Sequence, residues 1–207
     1  MALDTFANLK TSIANYLNRD DLTSYIPDFI KLAETRHGRD LRLRVMETVA
    51  TSTATGGTNY LALPTNFLEF RYVALDTTPQ IVLRYMSPFE LTRNYGNKTS
   101  GEPIYYTIIG SRIYFGPTPD SSYAIEWAFY SKPTALSDSS TSNDVLTTHP
   151  DLYLFASLLE SAPFLMQDER LGVWGELYKE AVKVSNEQDD ASQHASSPLQ
   201  MTARSTA

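Results

Sequence analysis

The chain has 207 residues, 42% hydrophobic and 20% charged, enough for a substantial core in one domain or two small ones. A net charge of −7 and a pI near 4.9 argue against a protein whose whole surface grips nucleic acid or anionic lipid. Cysteine is absent, which excludes a disulfide framework, a thiolate nucleophile and cysteine metal ligation; MALDTFANLK at the start has neither a basic n-region nor a long apolar h-region, so no export signal or membrane insertion is expected.

Leu3, Phe6, Leu9, Ile13, Tyr16 and Leu17 recur every three or four residues, predicting an amphipathic helix from about Thr5 to Asn18. Asn18-Arg19-Asp20-Asp21 breaks it. Ile26-Pro27-Asp28 opens a second helix with proline and an acid in its first turn, and Ile30, Ala33, His37 and Leu41 form its inner side. The two are expected to form an antiparallel hairpin. The far end of the second helix carries Lys31, Arg36, Arg39, Arg42 and Arg44 against Glu34 and Asp40, a local balance of +3. Two readings stand side by side: a solvated face with ion pairs such as Asp40 to Arg44, or a patch for a polyanion or acidic partner, since arginine's planar fork suits carboxylates and phosphates.

From Val45 the period changes. Met46–Thr55 is β-branched, Gly56-Gly57-Thr58-Asn59 is a turn, and Tyr60–Leu63 reads as a returning strand closed by Pro64. Phe67–Leu75 is a strand with Phe70, Tyr72 and Ala74 on one side and Arg71, Val73 and Leu75 on the other; Gln80–Tyr85 is a short one. Ser87-Pro88-Phe89-Glu90 fits a capping box opening a short helix to about Tyr95. Gly110-Ser111 suits a two-residue hairpin turn that places Ile109 opposite Arg112 and gathers Ile104, Tyr106, Ile108, Ile113 and Phe115 as a β core. Tyr123–Tyr130 alternates as a third strand, and the short connections predict an antiparallel meander.

Pro150–Asp168 is apolar on nearly every face, leaving Ser157, Glu160 and Ser161 for water, so other elements are expected to surround it. Thr148 is its expected N-cap, and Pro163 should kink or end it near Ala162. Gln167-Asp168-Glu169 restarts helical periodicity, with Leu171, Trp174, Leu177, Tyr178, Ala181 and Val182 on one side. Across Asp168–Asp190 seven acids face three bases. Ala191–Ala207 is poor in apolar residues and is expected to be disordered in the free chain. Two helices before and two after a β-rich middle predict an α+β chain: a four-helix bundle (1–45 and 145–190), a β-rich antiparallel insertion (46–144) and a flexible C-terminal tail (191–207).

The chemical inventory points away from catalysis. His37, His149 and His194 lie far apart and start no metal-binding pattern. Gly96–Gly101 has the glycine spacing of a phosphate loop, but Glu102-Pro103 stands where Lys-Ser/Thr is needed. No Gly-x-Ser-x-Gly elbow is present, and no pair of carboxylates is set apart by an apolar surround. No catalytic residue, cofactor or metal is expected.

Four runs together, IPDFIKLAETR, NYLALPTNFLEFRYV, GEPIYYTIIGSRIYFGPTPD and PDLYLFASLLESAPFLMQDERLGVWGELYKEAV, resemble the adaptor, or head-to-tail connector, proteins of tailed bacteriophages. The resemblance implies a virion protein of the head–tail neck, assembled in the host cytoplasm. It implies a ring of twelve copies that binds the portal above and a tail nozzle or tail tube with its fibre components below. Double-stranded DNA would pass without sequence-specific binding, and no membrane is involved. It further implies that the C-terminal segment, with Leu199, Met201 and Arg204, reaches along the portal. For the ring or partner contact the candidates are Arg36, Arg39, Arg42 and Arg44 on one element and Glu176 and Glu180 on another, expected on opposite sides of the subunit and attracting across the contact. The alternative is a carbohydrate- or receptor-binding tail module using Tyr105, Tyr114 and Tyr130 as stacking platforms; a hydrolase ranks third.

Overall fold

The computed structural model describes residues 3–96, 99–165 and 169–194. Its helices are α1 (Phe6–Leu17), α2 (Ile26–Asp40), α3 (Pro88–Asn94), α4 (Asp144–Thr148), α5 (Pro150–Glu160) and α6 (Arg170–His194). Its strands are β1 (Glu47–Ala54), β2 (Tyr60–Ala62), β3 (Phe67–Leu75), β4 (Ile81–Val82), β5 (Arg84–Tyr85), β6 (Ser100–Gly101), β7 (Tyr105–Ile109), β8 (Arg112–Gly116), β9 (Thr118–Pro119) and β10 (Tyr123–Ser131). The chain divides into two compact units, Met1–Val45 with Thr134–Ala207, and Met46–Pro133.

The expected four-helix bundle with an antiparallel β insertion is not what the chain forms. Among the described residues there are six α-helices and three sheets, one antiparallel (β1-β10-β3-β4), one mixed with β5 parallel to β7, and one in which β6 runs parallel to β9. The first unit holds five helices because the run before Pro150 is a helix in its own right. Asn143 caps it by accepting from the Leu146 N–H at 2.8 Å. A residue before proline is pushed out of the α region, and His149, at φ −135° and ψ 65°, separates α4 from α5. Thr148 is therefore not the N-cap of α5; its hydroxyl donates back to the Asp144 carbonyl.

Within this unit α5 contacts α1, α2, α4 and α6. Leu152, Tyr153, Leu154, Ala156 and Leu158 are buried, as a helix apolar on most faces requires. Ser157 and Ser161, expected in water, are fully buried too. Ser161 returns its hydroxyl to the Leu158 carbonyl, a common local solution for a serine at a helix end. The helix stops at Glu160, and a 3-10 turn Ala162–Phe164 follows, as Pro163 dictates. α1 is capped by Thr5 and closed by Asn18 in the left-handed region. α2 buries Ile30, Ala33 and His37, with Leu41 buried just beyond its end.

In the second unit the strand orders are β1-β10-β3-β4, β2-β8-β7-β5 and β6-β9, not a meander. β2 does not return along β1: it pairs with β8 in another sheet, and β1 pairs with β10 over its full length. The hairpin register is as predicted, Ile109 opposite Arg112 with Gly110 at φ +60°. Ile113 and Phe115 enter the core with Val73, Leu75, Ile125, Trp127 and Phe129. Ile104 does not; it lies ahead of β7 and is 47% exposed. The opposite face of the hairpin is covered by α3. A Cβ on Gly116 would stand 3.0 Å from the Tyr95 ring and 3.1 Å from Leu91, Tyr95 meets Tyr105, and Thr107 on that face is fully buried.

β3 departs from strict alternation. Ala128 pairs with Tyr72 but Phe129 pairs with Phe70, so Arg71 is an extra residue in a β-bulge. One inserted residue reverses the parity of those before it, here as far as a second irregularity at Leu68. Phe70, expected beside Tyr72, therefore joins Val73 and Leu75 on the core side and stacks on Trp127 at 5.8 Å.

Two outcomes follow from the helical core. Leu152→Ala should lower unfolding stability by about 2–5 kcal/mol, whereas Leu32→Ala on the exposed side of α2 should stay within about 0.5 kcal/mol, read from denaturant midpoints. His37, fully buried against Tyr153, is held down to about 4 chiefly by burial, so the folded state resists a proton that the unfolded state accepts from about pH 6.5 downward. Its contribution to stability is complete above that pH and is lost as pH falls towards 4. Between pH 6.5 and 5 the loss should be about 2 kcal/mol at 1.36 kcal/mol per unit. His37→Leu should flatten that part of the acid limb in urea melts across the range; an unchanged slope would refute the assignment.

Candidate functional site

The arginine-rich end of α2 lies against α5 and α6 of the same subunit. Arg36 directs Nε at 2.7 Å and its terminal nitrogen to Glu160 Oε1, with side chains 32% and 18% exposed. Its guanidinium also lies 5.7 Å from the centre of the Tyr178 ring. A carboxylate on the most apolar helix of the chain requires a charged partner when removed from water, and Glu160 has one in Arg36.

Four hydrogen bonds tie α6 to the end of α2 and the residues just beyond it. The Tyr178 hydroxyl donates to Asp40 Oδ2 at 3.0 Å. Asn186 accepts from the Arg42 N–H at 3.1 Å and donates to the Asp40 carbonyl at 3.1 Å. Asp189 accepts from the Arg44 N–H at 2.6 Å. The Asp40 carbonyl is among the acceptors left over where α2 ends, and Arg42 and Arg44 follow just beyond that end. Burial and the nearby Asp40 carboxylate both push the Tyr178 hydroxyl above its ordinary range, so it remains a donor at all ordinary pH. Arg42 also turns back, its terminal nitrogen donating to the carbonyls of Gly38 and Leu41.

The end of α2 and the inner face of α6 are thus neighbours within the subunit. Trp174, Tyr178 and Ser185 on α6 are buried, and Glu176 and Glu180 occupy its exposed side. Lys179 pairs with Glu176 at 2.8 Å. Of the four arginines, Arg36 and Arg42 are half-buried and engaged within the subunit, while Arg39 and Arg44 are exposed. Leu199, Met201 and Arg204 lie outside the described residues, as do Gln167 and Asp168; Ala191–His194, expected in the tail, continue α6.

A second polar cluster lies deeper in the helical unit. Glu34 accepts from the Leu136 N–H at 2.7 Å, and burial raises its carboxyl above the usual range. Tyr153 accepts from Asn143 Nδ2 at 2.7 Å. These contacts tie Thr134–Asn143 to the helices, since Asn143 also donates to the Thr134 carbonyl. Glu34 and Tyr153 also bond to each other, and the cluster braces the fold. Among the described residues no group of three His, Asp or Glu is placed to hold a metal, and no helix is long and apolar enough to cross a membrane.

The three tyrosines of the alternative reading do not share a face. Tyr130 is buried in the sheet of β1, β10, β3 and β4, whereas Tyr105 and Tyr114 are half-buried in the other four-stranded sheet, against Tyr95 and Tyr60. Stacking on a sugar needs exposed rings in one plane, which this arrangement does not supply.

What this chain presents is surface: two exposed charged helix faces in one unit and, in the other, a sheet with an open side. No curated protein matches the chain. A family model described as SU10 adaptor protein matches residues 4–202, nearly the whole length, and the chain belongs to the SU10 adaptor protein family.

Proposed function

We propose that the chain forms a ring at the head–tail neck of a bacteriophage, joining the portal above to tail components below and leaving an axial passage for double-stranded DNA. The observation that carries this is membership of the SU10 adaptor family, which makes the protein a structural adaptor of a phage particle. Twelve copies is the number the resemblance implies.

A closed ring requires heterologous contacts, in which one side of each subunit fits a different side of the next. Arg39 and Arg44 offer exposed cations, and Glu176 and Glu180 offer exposed carboxylates on α6. Placed across a contact between copies, such groups set register and encounter rate more than affinity. The same arginines on the channel wall would give strongly salt-dependent grip on phosphates, multiplied around the ring, and would hinder DNA movement. An overall charge of −7 suits a bore that DNA slides through.

The test is native mass measurement of the protein alone and with its portal. The expected result is a twelve-copy ring bound to portal; a chain that stays monomeric with portal at micromolar concentration overturns the proposal. For the lateral contact, Arg39→Glu and Glu180→Lys should each reduce ring yield at low salt, and the double variant should recover it. Rings formed equally well by all three would place the contact elsewhere.

A further inference from the structure

The long edge of the β-rich unit is unprotected. β1 is an eight-residue outer strand paired with β10 in regular register along its length. On its other side, among the described residues, no backbone group donates to or accepts from Thr48–Ala54. Edge strands are normally blunted by lysine, proline, a bulge or short length; Thr48–Ala54, TVATSTA, has none of these and no charge. Its outward side is exposed, Val49 at 61% and Thr51 and Thr53 with it. On the core side its residues are small: Ala50, Ser52 and Ala54. The other edge strands of the two four-stranded sheets, β2, β4 and β5, are two or three residues long.

The geometry points to strand addition at β1, with residues Leu199–Ala207 of a neighbouring copy as the added strand. After Pro198 the sequence reads Leu-Gln-Met-Thr-Ala-Arg-Ser-Thr-Ala. Leu199, Met201 and Ala203 alternate with Gln200, Thr202 and Arg204, the period of a strand with one apolar and one wet side. Its nine residues match the eight of β1. With Leu199 and Met201 on the core side, larger apolar groups would extend the sheet's inner face beyond Ala50, Ser52 and Ala54. Main-chain hydrogen bonds supply the recognition in such pairings, and alternate side chains supply the choice of partner. Pairing of β1 with a second β1 is isologous and ends at two copies, whereas a donated terminal strand is heterologous and propagates around a ring. The inference takes from the ring proposal only the identity of the donor, another copy of this chain.

Because the chain lacks cysteine, introduced thiols report unique disulfides. Full-length protein carrying Thr51→Cys is mixed with full-length protein carrying one cysteine at a position from 200 to 206, then oxidised. The expected result is a hetero-disulfide whose yield alternates, high at 202 and 204 and several-fold lower at 201, 203 and 205, because successive side chains face opposite sides of a strand. Adding Val49→Lys and Thr53→Lys to the Thr51→Cys chain should abolish it while leaving its melting curve in place, both residues being exposed. A disulfide between two Thr51→Cys chains as the main product, a yield without alternation, or loss of the cross-link when portal is added would each overturn the assignment. Rings of normal mass that never cross-link would overturn it and leave the ring proposal standing; alternating cross-links in complexes that never close would do the reverse.

Discussion

The burial of α5 on all sides is the constraint on which the helical unit depends. A helix with Leu152, Tyr153, Leu154, Ala156 and Leu158 all out of water cannot exist on its own. It has to be enclosed, and α1, α2, α4 and α6 are the elements that enclose it. This also explains how the 88 residues Met46–Pro133 can be inserted between α2 and α4 without dividing the core of the helical unit: the helices before and after the insertion meet on α5. Removing side-chain volume there opens cavities that surrounding helices cannot fill together.

Around this apolar centre the polar groups act at the helix ends. Asp40, Arg42 and Arg44 at the end of α2 are bonded to Tyr178, Asn186 and Asp189 of α6. Asn186 also donates to the Asp40 carbonyl, one of the acceptors left over where a helix stops. The consequence for function is a division among the arginines. Arg36 and Arg42 are held inside the subunit, so altering them disturbs folding as well as any contact. Arg39 and Arg44 stand outside and are the ones through which contact between molecules is to be tested. The acid at the far end of α5, Glu160, is part of the same logic, since its partner Arg36 also stacks toward Tyr178.

The β-rich unit follows a different rule. Its core is built from aromatic and branched side chains of β3, β8 and β10, and the bulge at Arg71 turns Phe70 inward onto Trp127. One side of the sheet is completed by short strands; the other ends at β1, eight residues long and without the usual edge protection. In a protein whose family role is to join other bodies, an open edge is a site of attachment as much as a liability.

Local chemistry was legible in the amino-acid sequence. The extent of α1, the cap at Ser87, the break at Pro163, the Gly110 hairpin register and the enclosed character of α5 all follow from contacts between residues a few positions apart or from one helix's own pattern. The adaptor family was legible too, in the order of four longer runs. What only the tertiary structure decided was which distant segments meet: β1 with β10, β2 with β8, the parallel pairs, and α6 against the arginine-rich end of α2. Strand pairing is made by backbone groups that every residue carries, so side-chain pattern does not name the partner. A bulge such as that at Arg71 shifts parity without any glycine or proline to mark it. The fate of each arginine was hidden for the same reason, since whether a guanidinium faces water or Glu160 depends on how helices 124 residues apart in sequence pack together.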